Sequence, residues 1–251
     1  MKARLGSERR SIDVRGRKWE YWVAGKGPPI VAFHGAIGGA ETMGWFIDAF
    51  AARHRILVPS LGEAFDPEEI TAAVTEMLDQ ESIAHCAILG ISLGGLVAHA
   101  FLGRRPERVQ RVVLISSGAP RWSRAAFYSF LQVVAFCAPR KLVRSVVRRF
   151  LSSQLAPRQA SCDAPPGLHR ALSLRRSRLQ AYASTVRCEL VLARIRLTSA
   201  LHWHGRNVHR TLNDWGGRIL LLVAHDDPIV TPRERERVQL LLAEAQLTKA
   251  A

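Results

Sequence analysis

Apolar positions follow two rhythms along the chain, and each rhythm predicts a different element. Ile30-Val31-Ala32-Phe33 and Arg55-Ile56-Leu57-Val58-Pro59 are short apolar runs, β-branched in part and bounded by turn residues, so they predict buried strands. Between them, residues 34–39 read HGAIGG, a glycine-rich loop. Ile70, Val74, Met77 and Leu78 then recur at helical spacing, with Asp66 placed to cap, Pro67 to open and Glu68-Glu69 to favour the positive helix end, which predicts a helix over 67–81. Cys86 to Leu89 is a strand that breaks at Gly90. Leu93, Leu96, Val97, Ala100 and Phe101 share one face of a helix over 93–105. Residues 109–116 and 218–224 predict two further strands, and 232–247 a last helix. Strands that alternate with helices, several of them apolar on both faces, predict an α/β protein with a mostly parallel central sheet covered on both sides.

Residues 121–205 interrupt that alternation. Phe127, Leu131, Val134, Ala138, Leu142, Val146 and Phe150 keep helical spacing through an expected kink at Pro139, with Arg140, Arg144 and Arg148 along another face. DAPPG at 163–167 is a loop, and a second helical stretch is expected over about 168–200. The expected organisation is a core of residues 1–120 and 206–251 carrying a helical cap insertion at 121–205.

Charge changes the picture only when located. The net +15 is that of residues 121–210 alone, where seventeen Lys/Arg face Asp163 and Glu189, while the rest of the chain is neutral. The excess therefore belongs to the cap. Solvated arginine faces are the plain reading, and an anionic acyl substrate is the sharper one. No aromatic interleaving or nucleic-acid module accompanies the charge, so no nucleic-acid partner is expected. The charged first residues contain no apolar leader core, no apolar run is long enough to span a bilayer, and the four cysteines lack metal-ligand spacing. A cytoplasmic protein with neither metal nor cofactor is the expectation.

The chemistry-bearing motif is Gly90-Ile91-Ser92-Leu93-Gly94, a G-x-S-x-G run placed after a strand and opening a helix. Together with HGAIGG, the run RRPERVQRVVLISSGAP leading into the cap, and AHDDPIV late in the chain, it resembles the α/β-hydrolase superfamily. The stretch from Pro59 to Asp66 and the form of the cap are diffusely similar to maspardin-like members. The resemblance implies Ser92 as nucleophile, the backbone N–H groups of Ala36 and Leu93 as oxyanion hole, and Asp227 as the acid, with Asp226 its neighbouring alternative. His34, Gly35, Gly90 and Gly94 would be supporting motif residues, His34 shaping the loop rather than acting as a base. A dehalogenase reading fails because that chemistry needs Asp where Ser92 stands.

Family order is Ser, acid, His, with the histidine roughly 25 to 30 residues past the acid. No histidine follows Asp227 in this sequence. Gln246-Leu247-Thr248 looks like the start of the last strand, which Lys249-Ala250-Ala251 stops, so the expectation is a truncated core: last strand, histidine loop and closing helix missing, the strand at 218–224 left as an exposed edge that invites self-association, and activity absent or weak. His202, His204, His209 and His225 are the histidines weighed as substitutes. Two functions remain at this stage, a serine hydrolase of carboxylic esters or related acyl compounds, and a non-catalytic binding protein on the same scaffold whose basic cap contacts an acidic partner.

Overall fold

The computed structural model describes residues 7–154, 187–205, 211–212, 214–223, 227, 230–241 and 246–249. Eight strands form one sheet in the order β1-β2-β4-β3-β5-β6-β7-β8. β3 (Pro29–Phe33), β4 (Arg55–Pro59), β5 (Cys86–Ile91), β6 (Val109–Ile115), β7 (Arg218–Leu222) and β8 (Gln246–Lys249) run parallel to one another. β1 (Ser7–Val14) and β2 (Arg17–Ala24) are an antiparallel hairpin laid on β4.

Alternation along the central strands divides the core in two. Val31, Phe33, Leu57 and Ile88 face one cluster, packed under α2 (Pro67–Gln80) and α3 (Leu93–Arg104). Ala32, Ile56, Val58 and Leu89 face the other, covered by Met43, Phe46 and Ile47 around α1 (Gly44–Phe50). A strand buried on both faces has to be apolar at both parities, which is why these runs read as continuous.

The hairpin and α1 go beyond the elements predicted above. β1 is half charged, so its run carries no strand signal, yet Trp19, Tyr21 and Val23 alternate inward on β2. The turn is a two-residue one in which Arg15 and Gly16 both take positive φ, 54° and 75°, as a type I′ hairpin requires. Glu81, with its side chain fully buried after α2, accepts from Arg10 Nη1 at 2.7 Å and from the Tyr21 hydroxyl at 2.8 Å, and also pairs with Arg55. Burial opposes the charge on Glu81, and these three donors hold its carboxyl below the usual value. The hairpin is thereby tied to the helix and to β4.

The segment expected to form a cap begins with α4 (Trp122–Cys137) and α5 (Arg140–Gln154). These are two helices, not one kinked helix. Ala138 precedes Pro139 and takes φ −75°, ψ 145°, the extended conformation that a following proline ring enforces, so the first helix stops there. The stretch 155–186, including the DAPPG loop and most of the second predicted helix, lies outside the described residues. α6 (Cys188–His204) follows and is no surface element: Leu197 and Leu201 are fully buried within the main core. α4 packs on α6 through small residues, with Ser199 Oγ donating to Ala125 O at 3.1 Å and meeting Ser129 Oγ at 2.7 Å.

Two corrections concern the end of the chain. The last helix, α7 (Pro232–Leu241), is described only that far, and residues 246–249 are a strand rather than the tail of a helix through 247. That strand, β8, pairs in parallel with β7 from Arg218↔Gln246 to Leu221↔Lys249. The strand expected to be missing is therefore present, because four residues suffice to register against β7, and β7 is not the open edge predicted above.

Candidate active site

β5 delivers the chain to Ser92, and α3 starts at the next residue. Ser92 stands at φ 53°, ψ −115°, a conformation that costs a non-glycine residue about 1–3 kcal/mol. Its backbone is held on all sides. Ser92 N–H donates to Ile115 O at 2.9 Å, continuing the ladder to β6, while Ser92 O accepts from Gly95 N–H at 2.9 Å and from Ser117 Oγ at 3.0 Å. Strain of this kind persists only where the surroundings over-determine it.

The two glycines of the motif are demanded by space. A Cβ on Gly94 would lie 2.3 Å from Phe33 O, and one on Gly90 would lie 2.5 Å from Gly94 O. The end of β3, the end of β5 and the first turn of α3 thus meet backbone to backbone. Beside them runs the HGAIGG loop, so close that a Cβ on Gly35 would sit 3.7 Å from Ser92 Cβ. Ala36, next in that loop, is half-buried against the main core, and Leu93 is buried at the first position of α3. N–H groups in the first turn of a helix lack intrahelical partners, and the helix dipole adds positive potential, so half-buried Ser92 stands where an anion is favoured.

His34 is fully buried behind this loop. Nδ1 donates to Gly35 O at 2.8 Å, and Nε2 accepts from Leu61 N–H at 3.4 Å, which fixes one neutral tautomer and commits both ring nitrogens to backbone. Burial, and then the positive charge of Arg194 on α6, push its pKa down to about 4. Asp227 lies beyond β7, half-buried, with Oδ1 accepting from Val230 N–H at 2.9 Å in a local turn. Asp226, His225, His209 and His169 lie outside the described residues.

Of the other histidines weighed, His202 is buried between α4 and α6. It stacks on Tyr128 at 5.8 Å between ring centroids and accepts from Arg121 N–H through Nδ1 at 3.3 Å. Burial, then the charges of Arg124 and Arg121, push its pKa down to about 4 as well. His204 is exposed. Among the described residues no group of three or more His, Cys, Asp or Glu gathers as a metal site would require. No described helix is long and apolar enough to cross a membrane.

Ser117 and Arg194 are the site neighbours that sequence reasoning missed. Ser117 follows the apolar run of β6 in a Ser-Ser-Gly turn, a signal for a loop but not for a brace on Ser92. Arg194 sits in a helix whose pattern gave no hint that it would be buried near His34. The neighbouring basic cluster is also tertiary: buried Glu234 of α7 pairs with Arg121 at 2.6 Å, within reach of Arg124 and Arg237, and fastens α7 to the start of α4.

The family described as serine aminopeptidase, S33, matches residues 30–249. An uncharacterized Mycobacterium tuberculosis protein is 32% identical over 114 residues, 42% of this chain and 33% of its own length. A Xenopus laevis sn-1-specific diacylglycerol lipase is 27% identical over 144 residues, 52% of this chain and 46% of the lipase. The chain thus spans less than half the length of these curated relatives. Among solved structures, the enol-lactonase from Burkholderia xenovorans LB400 superposes with a TM-score of 0.70 at 16% identity, over 96% of this chain and 91% of the lactonase. An α/β hydrolase from a Medee basin deep-sea metagenome library gives 0.69 at 18% identity, over 96% and 88% of the two chains. At such identities the likeness shows the fold.

Proposed function

The chain belongs to the serine aminopeptidase S33 family of α/β hydrolases, and from that premise we propose that it is a serine hydrolase of carboxylic esters or related acyl compounds, with Ser92 as nucleophile. The observation that carries the reading is the conformation of Ser92, strained at φ 53° between strand and helix, its backbone braced by two hydrogen bonds to other backbone groups and one from the Ser117 hydroxyl. A serine in a plain strand-to-helix turn has no use for such a conformation, whereas a nucleophile that has to project from the sheet end does.

In this reading Ser92 Oγ attacks the acyl carbonyl and forms a tetrahedral oxyanion. The N–H groups of Leu93 and Ala36 receive that charge, Leu93 with the helix end behind it. Asp227 is the acid that would orient a histidine. Residues 228–251 contain no histidine. His34 and His202, held near 4, are poor acceptors for a serine proton. Loss of a triad histidine costs on the order of 10⁶ in turnover, while an oxyanion hole and binding retain roughly 10³ to 10⁴ over water. Acylation at Ser92 therefore depends on a histidine other than these two, oriented by Asp227, reaching the serine. Cap side chains would choose the acyl group, and their basic charge favours an anionic one.

The test is prolonged incubation with a p-nitrophenyl ester, followed by mass-spectrometric mapping beside Ser92→Ala. An acyl adduct confined to Ser92 supports the nucleophile. Steady turnover that disappears in Ser92→Ala supports the nucleophile and shows that a base reaches it. Acylation scattered over lysines, unchanged in Ser92→Ala, sinks the hydrolase reading in favour of a binding scaffold.

A further inference from the structure

The outward face of the cap is the largest surface feature that the proposed chemistry leaves unused. On α4, Trp122, Phe127, Phe130, Val133, Val134 and Phe136 all lie exposed, Trp122 at 65%, Phe130 at 68% and Phe136 at 80%. Trp122, Ala126, Phe127, Phe130, Val133, Val134 and Cys137 recur at the three- and four-residue spacing of one helical stripe, and residues 125–139 contain no charged side chain. The opposite side of α4 is the one committed to α6, through Ala125 and Ser129. Of the stripe predicted from sequence, Phe127, Val134, Leu142 and Val146 are turned to solvent, while Leu131 and Ala138 are half-buried. Contiguous exposed apolar surface of this kind marks an interaction site.

Next to it α5 exposes Leu142 and Val146 among Lys141, Arg144, Arg148 and Arg149. Residues 121–154 hold seven Lys/Arg and neither Asp nor Glu. Among the described residues, no carboxylate pairs with Lys141, Arg144, Arg148 or Arg149. An occupant has to satisfy both halves of this surface. It must offer an apolar phase to the aromatic side chains and negative charge to the arginines. A second copy of the chain would supply the first and oppose the second, since it brings like charge against like. A nucleic acid would supply the second alone.

We propose that this face docks on the surface of an anionic phospholipid bilayer. α4, about 24 Å long, lies in the plane of the boundary between headgroups and acyl chains, and the basic residues of α5 sit at the phosphates. Neither helix is a membrane span. Because α4 follows β6 at the same end of the parallel sheet from which Ser92 follows β5, docking places the candidate site on the bilayer side of the molecule. The proposal stands on exposure and charge and does not depend on Ser92 being catalytic.

The experiment is co-sedimentation of the full chain with vesicles of phosphatidylcholine alone and of phosphatidylcholine mixed equally with phosphatidylglycerol, at low and high salt. Sedimentation is expected with the mixed vesicles at low salt, and is weakened by salt. Arg144→Glu with Arg148→Glu is expected to lower the partition coefficient on the order of 100-fold or more. Phe130→Ser with Phe136→Ser should lower it by about tenfold or more, because less apolar surface enters the boundary. Quenching of the wild-type tryptophan fluorescence by brominated lipid, reduced in Trp122→Phe, gives a reading that needs no destabilised variant. A chain that stays in the supernatant with mixed vesicles overturns the proposal, and light scattering that shows a dimer dispersed by the phenylalanine changes would then assign the face to a second copy. Binding undiminished by those same changes overturns it too, leaving a purely electrostatic partner such as a nucleic acid.

Discussion

Gly94 is the residue at which the architecture of the site can be weighed most directly. Replacing it by alanine favours the helix in isolation by roughly 1 kcal/mol, since glycine is the poorer helix former. In the folded protein the new Cβ would stand 2.3 Å from Phe33 O, 2.7 Å from Phe33 C and 2.8 Å from His34 O. All three are backbone atoms of the end of β3 and the loop behind it, so no side chain can rotate away. Overpacking of this kind costs about 1–3 kcal/mol, and the rigid partners put this case at or above the upper end. Net of the helical gain, Gly94→Ala should lose about 2 kcal/mol, which lowers the midpoint of thermal unfolding by roughly 4–8 °C in a domain of this size. Gly35→Ala is the matched control, because its Cβ would meet nothing nearer than 3.6 Å, an ordinary contact, so its midpoint should move far less. Circular dichroism melts of the three proteins read both effects. If Gly94→Ala melts with or above the wild type, the backbone contact between β3 and α3 is not what places Ser92.

Further outcomes follow from the buried polar groups. His34 and His202 have folded pKa values pushed down to about 4 from an ordinary 6.5, so between those values the unfolded chain binds more protons and stability rises with pH. Stability is thus lost as pH falls below about 6.5, by up to roughly 3 kcal/mol for each imidazole as pH nears 4. An NMR titration that finds either ring protonating near its ordinary value would contradict this. Glu81→Gln removes the charge that Arg10, Arg55 and Tyr21 share, and because both arginines can turn partly to water the loss should be about 2 kcal/mol, read from urea unfolding. A midpoint equal to wild type would mean that the network is not a net support. Ser117→Ala deletes the hydroxyl that donates to Ser92 O and should cost about 1 kcal/mol while slowing acylation at Ser92. Unaltered acylation would make Ser117 a bystander.

The sequence was most legible where one residue's local physics decided its place. Pro67 after Asp66 opens α2 where predicted, with Asp66 Oδ1 accepting from Glu68 N–H at 2.8 Å. The runs at β3, β4 and β5 are apolar at both parities because helices cover both faces. Legibility failed where partners far along the chain decide. β1 is a charged strand that exists because β2 pairs with it along its whole length, and β8 exists because β7 offers it a ladder. Helical spacing showed that α4 has an apolar stripe but not which way it points, since Ala125, Ser129 and Ser199 claim the other side through small contacts that no periodicity reveals. At the candidate site, the motif pointed to Ser92, but its brace from Ser117 depends on which strand end lies alongside.

The entry to and exit from the cap segment touch, for a Cβ on Gly205 would come within 2.5 Å of Pro120 Cγ. Geometrically the intervening stretch is a detachable loop, and joining Pro120 to Gly205 would close the chain with no gap to bridge. Energetically it is not, because the excised piece would carry away Leu197 and Leu201, both fully buried in the main core. An engineer exchanging specificity between relatives would therefore keep α6 with the recipient and graft only what lies ahead of it. By the same logic, a change that removes α6 should cost the sheet its packing, whereas α4 and α5 contribute little to the main core.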